Sequence, residues 1–190
     1  MSLKDNKKHF RKIFGKYLES GGKEGDRILD FGCGEGWSTV QGREMGLDVV
    51  GLDLDPGCWA ETGNGKMEKR RREDHYIPEL MERVRKDGEE PNVVLYDGKG
   101  FPFGDEEFDG LVCKTAMGKD FTVKDGNLIG KEDNALTRIS EIYRVLKRKA
   151  TVIIYMDSSG YRAFLRMQEA LHQRDPDVFN SREIALMKLD

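Results

Sequence analysis

Cysteines are few in this sequence, aromatic residues are sparse and long apolar runs are missing, and each shortage removes a class of protein. The 190 residues include three cysteines, Cys33, Cys58 and Cys113. They are odd in number, far apart and in no Cys-x-x-Cys pair, which argues against a disulfide scaffold or zinc site. A reducing cytoplasm is the simplest home for such thiols. No apolar stretch approaches the ~20 residues needed to cross a bilayer. The start, Met1 to Lys12, is polar and basic and lacks the apolar stretch of a signal peptide. Thirty-two Lys and Arg stand against thirty-five Asp and Glu, a net charge of -3. No global positive field therefore advertises nucleic acid. Aromatic residues make up only 9%, but 37% of the chain is hydrophobic and 35% charged, enough for a real core under a highly charged surface. At this length one domain is expected, with room for an insertion.

Phe10, Ile13, Phe14, Tyr17 and Leu18 recur at helical spacing before Gly21-Gly22, with Lys7, Lys8, Arg11, Lys12 and Lys16 on the other side. Residues 1–22 are thus expected as an amphipathic helix packed on a domain spanning 23–190. From residue 27 short apolar runs alternate with helical stripes. The runs are Arg27–Phe31, Leu47–Leu54, Asn92–Tyr96, Phe108–Cys113 and Thr151–Met156, with helices expected over 37–45 and Asn134–Leu146. Unbroken runs suit strands buried on both faces, so the pattern implies an α/β fold. Its mostly parallel twisted sheet would carry helices on both sides and right-handed crossovers. Two connections are long, 57–91 and 114–133. The first holds the basic run Lys66–Arg72 and a helix through Ile77, Leu80, Met81 and Val84. The second reads as a hairpin around Asp125-Gly126. Insertions at the carboxyl edge of a parallel sheet are the usual place for ligand lids.

The most informative stretch is Ile28-Leu29-Asp30-Phe31-Gly32-Cys33-Gly34-Glu35-Gly36, a strand running into three alternate glycines and a helix. Such a loop lets a ligand lie against bare main chain and aims helix N–H groups at an anion. A P-loop needs Gly-Lys-Ser/Thr, whereas Gly36 is followed by Trp37-Ser38. The dinucleotide motif needs a third glycine where Trp37 stands. What remains is a ligand with a carboxylate and an adenosine but no phosphates. Asp53 and Asp97 end the next two strands. Each alone suits a helix cap as well as a ligand contact; together, after the glycine loop, they favour the ligand. Asp53 can take both ribose hydroxyls and Asp97 an adenine amino group.

These residues resemble the class I S-adenosylmethionine-dependent methyltransferases, most closely the small-molecule branch typified by quinone-biosynthesis enzymes. Four motifs carry the resemblance in order. They are the glycine stretch, Val50-Gly51-Leu52-Asp53, the segment Asp97 with Phe101-Pro102-Phe103-Gly104-Asp105-Glu106-Glu107-Phe108-Asp109, and Ile139-Ser140-Glu141-Ile142-Tyr143-Arg144-Val145-Leu146-Lys147. The resemblance implies a Rossmann-like methyltransferase fold with S-adenosyl-L-methionine as cofactor. It implies the glycine loop against the methionine part, Asp53 on the ribose and Asp97 near the adenine, with Asp30, Phe31, Gly32, Cys33, Gly34, Gly36, Leu54 and Gly98 also among the cofactor-binding residues. Two departures stand out. Lys147-Arg148-Lys149-Ala150 replaces the family's Pro-Gly-Gly turn, and only one strand, Ile184–Leu189, is expected after the fifth, a sheet shortened at its C-terminal hairpin.

A sulfonium donor chiefly needs its acceptor placed in line, so the sequence need not show an elaborate catalytic group. None of His9, His75 and His172 is placed as a base. Lys114 and Asp157, ending the fourth and fifth strands, are the candidates for positioning a small-molecule acceptor. Neither a base-amino methyltransferase motif nor a cytosine-type cysteine follows the fourth strand. The competing readings are an RNA methyltransferase using the basic 66–72 loop and a silent cofactor-binding partner subunit. Glu68, Glu73 and Asp74 make that loop more readily a solvated one, which argues against nucleic acid.

Overall fold

A computed structural model of the chain describes residues 3–34, 36–54, 59–61, 67–69, 84–85, 88–96, 100–114, 122–124, 127–129, 132–155, 165, 168–169, 172–173 and 185–188. Its elements are α1 (Leu3–Glu19), β1 (Arg27–Phe31), α2 (Trp37–Glu44), β2 (Asp48–Leu54), β3 (Trp59–Glu61), β4 (Met67–Lys69) and β5 (Val93–Tyr96). There follow β6 (Phe108–Lys114), β7 (Thr122–Lys124), β8 (Asn127–Ile129), α3 (Glu132–Val145), β9 (Leu146–Tyr155) and β10 (Ala185–Lys188).

Six strands form one sheet in the order β10-β9-β6-β1-β2-β5, and every neighbouring pair is parallel. The apolar runs of the sequence are these strands, and consecutive residues feed opposite faces as the pleat requires. Ile28 and Val112 pack with α1 and α2 on one side, whereas Leu29, Phe31 and Leu111 pack with Ile139 and Ile142 of α3 on the other. Helices thus cover both faces, and β1, central in the sheet, aims its carboxyl end at the glycine loop. β10 bonds directly to β9, so among the described residues a single strand follows the fifth, the shortened edge expected from sequence.

The apolar stripe of α1 is buried at Phe10, Ile13, Phe14 and Tyr17. The Tyr17 ring is 1% exposed and lies over Gly110, where a Cβ would come within 2.5 Å of it. Its hydroxyl donates to Asp26 Oδ2 at 2.7 Å. Each such side chain contributes roughly 1.5–3 kcal/mol by leaving water.

Three details depart from the simple reading. β9 begins at Leu146, opposite Phe108, but its register jumps so that Gly110 faces Thr151. Lys147–Ala150 fill the jump, and Lys149 takes the left-handed φ of 63°. The expected hairpin is formed by β7 and β8, with Lys124 opposite Asn127. A second antiparallel pair, β3 with β4, was not expected: part of the run read as a basic loop is strand. Of the helix expected through Ile77–Val84, only Val84 falls within the described residues, and it is helical, as is the following Arg85.

Candidate functional site

The three loop glycines adopt φ of 77°, 55° and 82° at Gly32, Gly34 and Gly36, a conformation that β-carbon-bearing residues avoid. This reverses the chain between β1 and α2. The Gly32 N–H donates to the Leu52 carbonyl at 2.7 Å, tying the loop to the neighbouring strand. The Gly34 N–H donates to Asp53 Oδ2, also at 2.7 Å. A Cβ at Gly36 would lie 2.7 Å from Pro91 and Val93, so this glycine is required by packing as well as by φ. Gly34 differs: a Cβ there would meet nothing within 4 Å, and the loop's tip borders open space.

Beneath the loop the polar groups are matched. Asp30, 1% exposed, accepts a hydrogen bond from Ser38 Oγ on the first turn of α2. Thr39 Oγ1 donates to the Gly36 carbonyl at 2.8 Å and accepts the Asn92 N–H at 2.9 Å, linking loop, helix and β5. Cys33 packs its sulfur over Gly51, where a Cβ would come within 2.5 Å of Sγ. Burial and the Asp30 and Asp53 charges push the Cys33 thiol well above its ordinary pKa, so it stays protonated and inert. The close helix–strand approach that dinucleotide folds obtain from a glycine at the place of Trp37 is supplied here by Gly42, whose hydrogen faces Val49 of β2. Trp37 itself is buried among α1 and α2 side chains.

The helix N-terminus facing the loop has Gly36 as its cap, no side-chain cap bond and no acidic residue in its first turn. Asp30 bonds the Ser38 hydroxyl of this turn from beneath, and the turn's N–H groups present partial positive charge toward the loop. With the open space at Gly34 and the acceptor-only Asp53, this donor set fits a ligand with a carboxylate and vicinal hydroxyls.

Asp53 is opposite Leu95, and Leu54 opposite Tyr96, so the described site residues gather at the carboxyl ends of β1, β2 and β5. Phe31 turns inward from the end of β1, its ring 5.4 Å from that of Phe101. Asp97 and Gly98 lie outside the described residues, as does Asp157. Lys114 is the last residue of β6, opposite Tyr155. Sequence reasoning gave no role to Ser38 or Thr39, and quoted Glu141 and Arg144 only as part of a helix motif. The last two bond the loop Gly100–Asp105. A cleft of about 480 Å³ lies toward the amino ends of β1 and β2, lined by Gly25, Thr39, Arg43, Asp48 and Asn92 among others, and meets the loop's supports at Thr39 and Asn92.

Residues 29–154 match the family described as the methyltransferase domain, more than half of the chain. The chain belongs to the class I S-adenosylmethionine-dependent methyltransferases. The matched span runs from the glycine loop's strand to the end of the fifth, the region that holds every described site residue. Among curated proteins the chain is 32% identical over 81 residues to a ribosomal protein L11 methyltransferase of Cupriavidus necator, covering 42% of this chain and 27% of that protein. It is 43% identical over 42 residues to a protein of the same name from Burkholderia vietnamiensis, covering 22% and 14%. These matches therefore span about a quarter of the relatives' length or less. Among solved structures, a Methanococcus maripaludis protein described as an S-adenosyl-L-methionine-dependent methyltransferase superposes with a TM-score of 0.52 at 15% identity, covering 92% of this chain and 68% of that one. This supports the shared fold. The cofactor of the family is S-adenosyl-L-methionine.

Proposed function

We propose that the chain transfers the methyl group of S-adenosyl-L-methionine to a small-molecule acceptor. The observation that carries the cofactor half of this reading is the 2.7 Å bond from the Gly34 amide to Asp53 across two strand tips, beside open space at Gly34. One carboxylate there is assigned two tasks: Oδ2 fixes the loop by accepting the Gly34 N–H, and the same group takes the ribose hydroxyls. The uncapped first turn of α2 meets the carboxylate of the methionine part. Asp30 and Ser38 brace the loop from below rather than touching the ligand. Asp97 and Gly98 take the adenine side.

When bound, the cofactor supplies a sulfonium whose methyl is already electrophilic. The protein's task is then placement, worth ~7–11 kcal/mol when the reacting atoms are well oriented. Lys114, at the tip of β6, and Asp157, beyond β9, are the residues assigned to the acceptor. The hairpin within 114–133 and α1 are the elements assigned to cover it. The quinone-biosynthesis-like branch is the sub-branch this assignment belongs to, and the cytoplasm its compartment.

A protein acceptor is the second reading, suggested by the name of the curated relatives. The two separate in one assay. The chain is incubated with radiolabelled methyl donor and a cell extract divided into small-molecule, protein and RNA fractions. Label in the small-molecule fraction supports the proposal. Label in protein or RNA alone overturns it, and with RNA revives the basic 66–72 segment as its binding surface.

A further inference from the structure

Between β5 and β6 the chain runs through Gly100–Asp105, and one ion pair on α3 holds it. Glu141 Oε2 accepts the Phe101 N–H at 2.7 Å. Arg144 Nη2 donates to the Phe101 carbonyl at 3.0 Å. Both main-chain polar groups of one residue are therefore bound by side chains three residues apart on a helix, much as a neighbouring strand would bind them. Arg144 Nη1 adds the Phe103 carbonyl and Asp105 Oδ1, each at 2.8 Å. The two side chains are locked to each other by a fork, Nε to Oε1 and Nη2 to Oε2, both 2.8 Å. Finally the Arg144 carbonyl accepts the Glu106 N–H at 2.9 Å, where Glu106 takes a φ of 53°.

What this clamp positions is aromatic. Phe101 is buried, with its ring 5.4 Å from Phe31 and 5.5 Å from Tyr96, edge-on to the latter. Phe31 ends the strand that enters the glycine loop, and Tyr96 directly precedes Asp97. The clamp thus fixes a ring wedged between the two strand tips on which the adenosine half of the site is built. A brace needed only for folding could use apolar contacts, as Ile139, Ile142 and Tyr143 of α3 do. A planar guanidinium fork bound to a carboxylate and three carbonyl or carboxylate oxygens of one loop sets position more finely.

We infer that the Glu141–Arg144 pair is a positioning device that, through the main chain of Phe101, sets the adenine side of the cofactor site and its discrimination between bases. This rests on the cofactor reading above. Neither residue touches the reacting atoms. With the clamp loosened, the affinity for the adenine-bearing ligand falls, whereas that for the same ligand with another base is nearly unchanged.

The test is calorimetric titration of the full chain with S-adenosylhomocysteine and with its inosine counterpart, in which the exocyclic amine is replaced by oxygen. Arg144→Gln and the milder Glu141→Gln are compared with the unmodified chain, each checked for a cooperative melt. Glu141→Gln keeps an acceptor for Phe101 and loses only the charged fork, so it serves if Arg144→Gln does not fold. The unmodified chain should prefer the adenine ligand, and the variants should lose about tenfold of that preference, the size of one charge-assisted hydrogen bond. Variants that lose affinity for both ligands equally, or for neither, reduce the clamp to a structural brace and overturn the inference alone. If the unmodified chain binds neither ligand, or binds both alike, the adenosine reading of the site fails and the inference with it.

Discussion

In the proposed site Asp53 carries the most chemistry, since its carboxylate accepts the Gly34 N–H and is the group assigned to the ribose hydroxyls. Replacement by the isosteric Asn keeps an oxygen for the Gly34 N–H but removes the charge and half the acceptor capacity. Asp53→Asn should therefore weaken S-adenosylhomocysteine binding about ten- to a hundredfold by calorimetry, with an unchanged melting curve. An unchanged affinity would remove Asp53 from the ribose. The glycines and Asp53 were legible in the sequence because their chemistry is local: glycine tolerates the left-handed backbone, and a strand-ending acid faces the carboxyl edge. Asp30 is expected beside the ligand, and its buried carboxylate accepts from Ser38, which distinguishes a bracing contact from a ligand one. That distinction depends on which way a side chain leaves a buried strand, and one sequence does not reveal it. Gly42 and Gly51 were equally hidden, since their need for a missing Cβ comes from Val49 and Cys33 across the sheet.

Among the elements, those buried on both faces were the readable ones. Each strand of the main sheet is an apolar run, and α3 repeats its apolar residues at helical spacing, so packing and local pattern agree. The β3–β4 pair escaped notice because Trp59-Ala60-Glu61 and Met67-Glu68-Lys69 are three residues each, too short and polar to show an alternation. The bulge at Lys147–Ala150 is a third case. Lys149 is exposed and holds the left-handed conformation, which is costly for a residue with a β-carbon. Lys149→Gly should raise stability by about 1 kcal/mol, seen as a higher thermal midpoint at unchanged cofactor affinity. A lower midpoint would mean that the side chain contributes more than the backbone costs. In the clamp, Arg144 holds Glu141 below the usual carboxylate range. Its contribution is complete above that usual value and is lost as pH falls through the lowered one.

Taken whole, the molecule is a six-stranded sheet between two apolar layers, and α1 belongs to one of them through Phe10, Ile13, Phe14 and Tyr17. Burial and the neighbouring Asp26 and Asp109 charges raise the Tyr17 phenol well above its ordinary value of 10.0. The fold thus favours the neutral ring. Its contribution is complete below pH 10 and falls as pH rises beyond it, by up to about 1.4 kcal/mol per pH unit. Tyr17→Phe should flatten this alkaline limb in chemical denaturation, while losing about 1 kcal/mol at neutral pH with the Asp26 bond. An alkaline limb as steep as before would assign the loss to other groups. Among the described residues no helix is long and apolar enough to cross a membrane. The central claim concerns what the loop between β1 and α2 holds, and parallel calorimetric titrations with S-adenosylhomocysteine, NADH and ATP test it most directly. Saturable binding of the first alone is the result expected. Tight binding of NADH or ATP with no response to the homocysteine nucleoside would contradict the whole account.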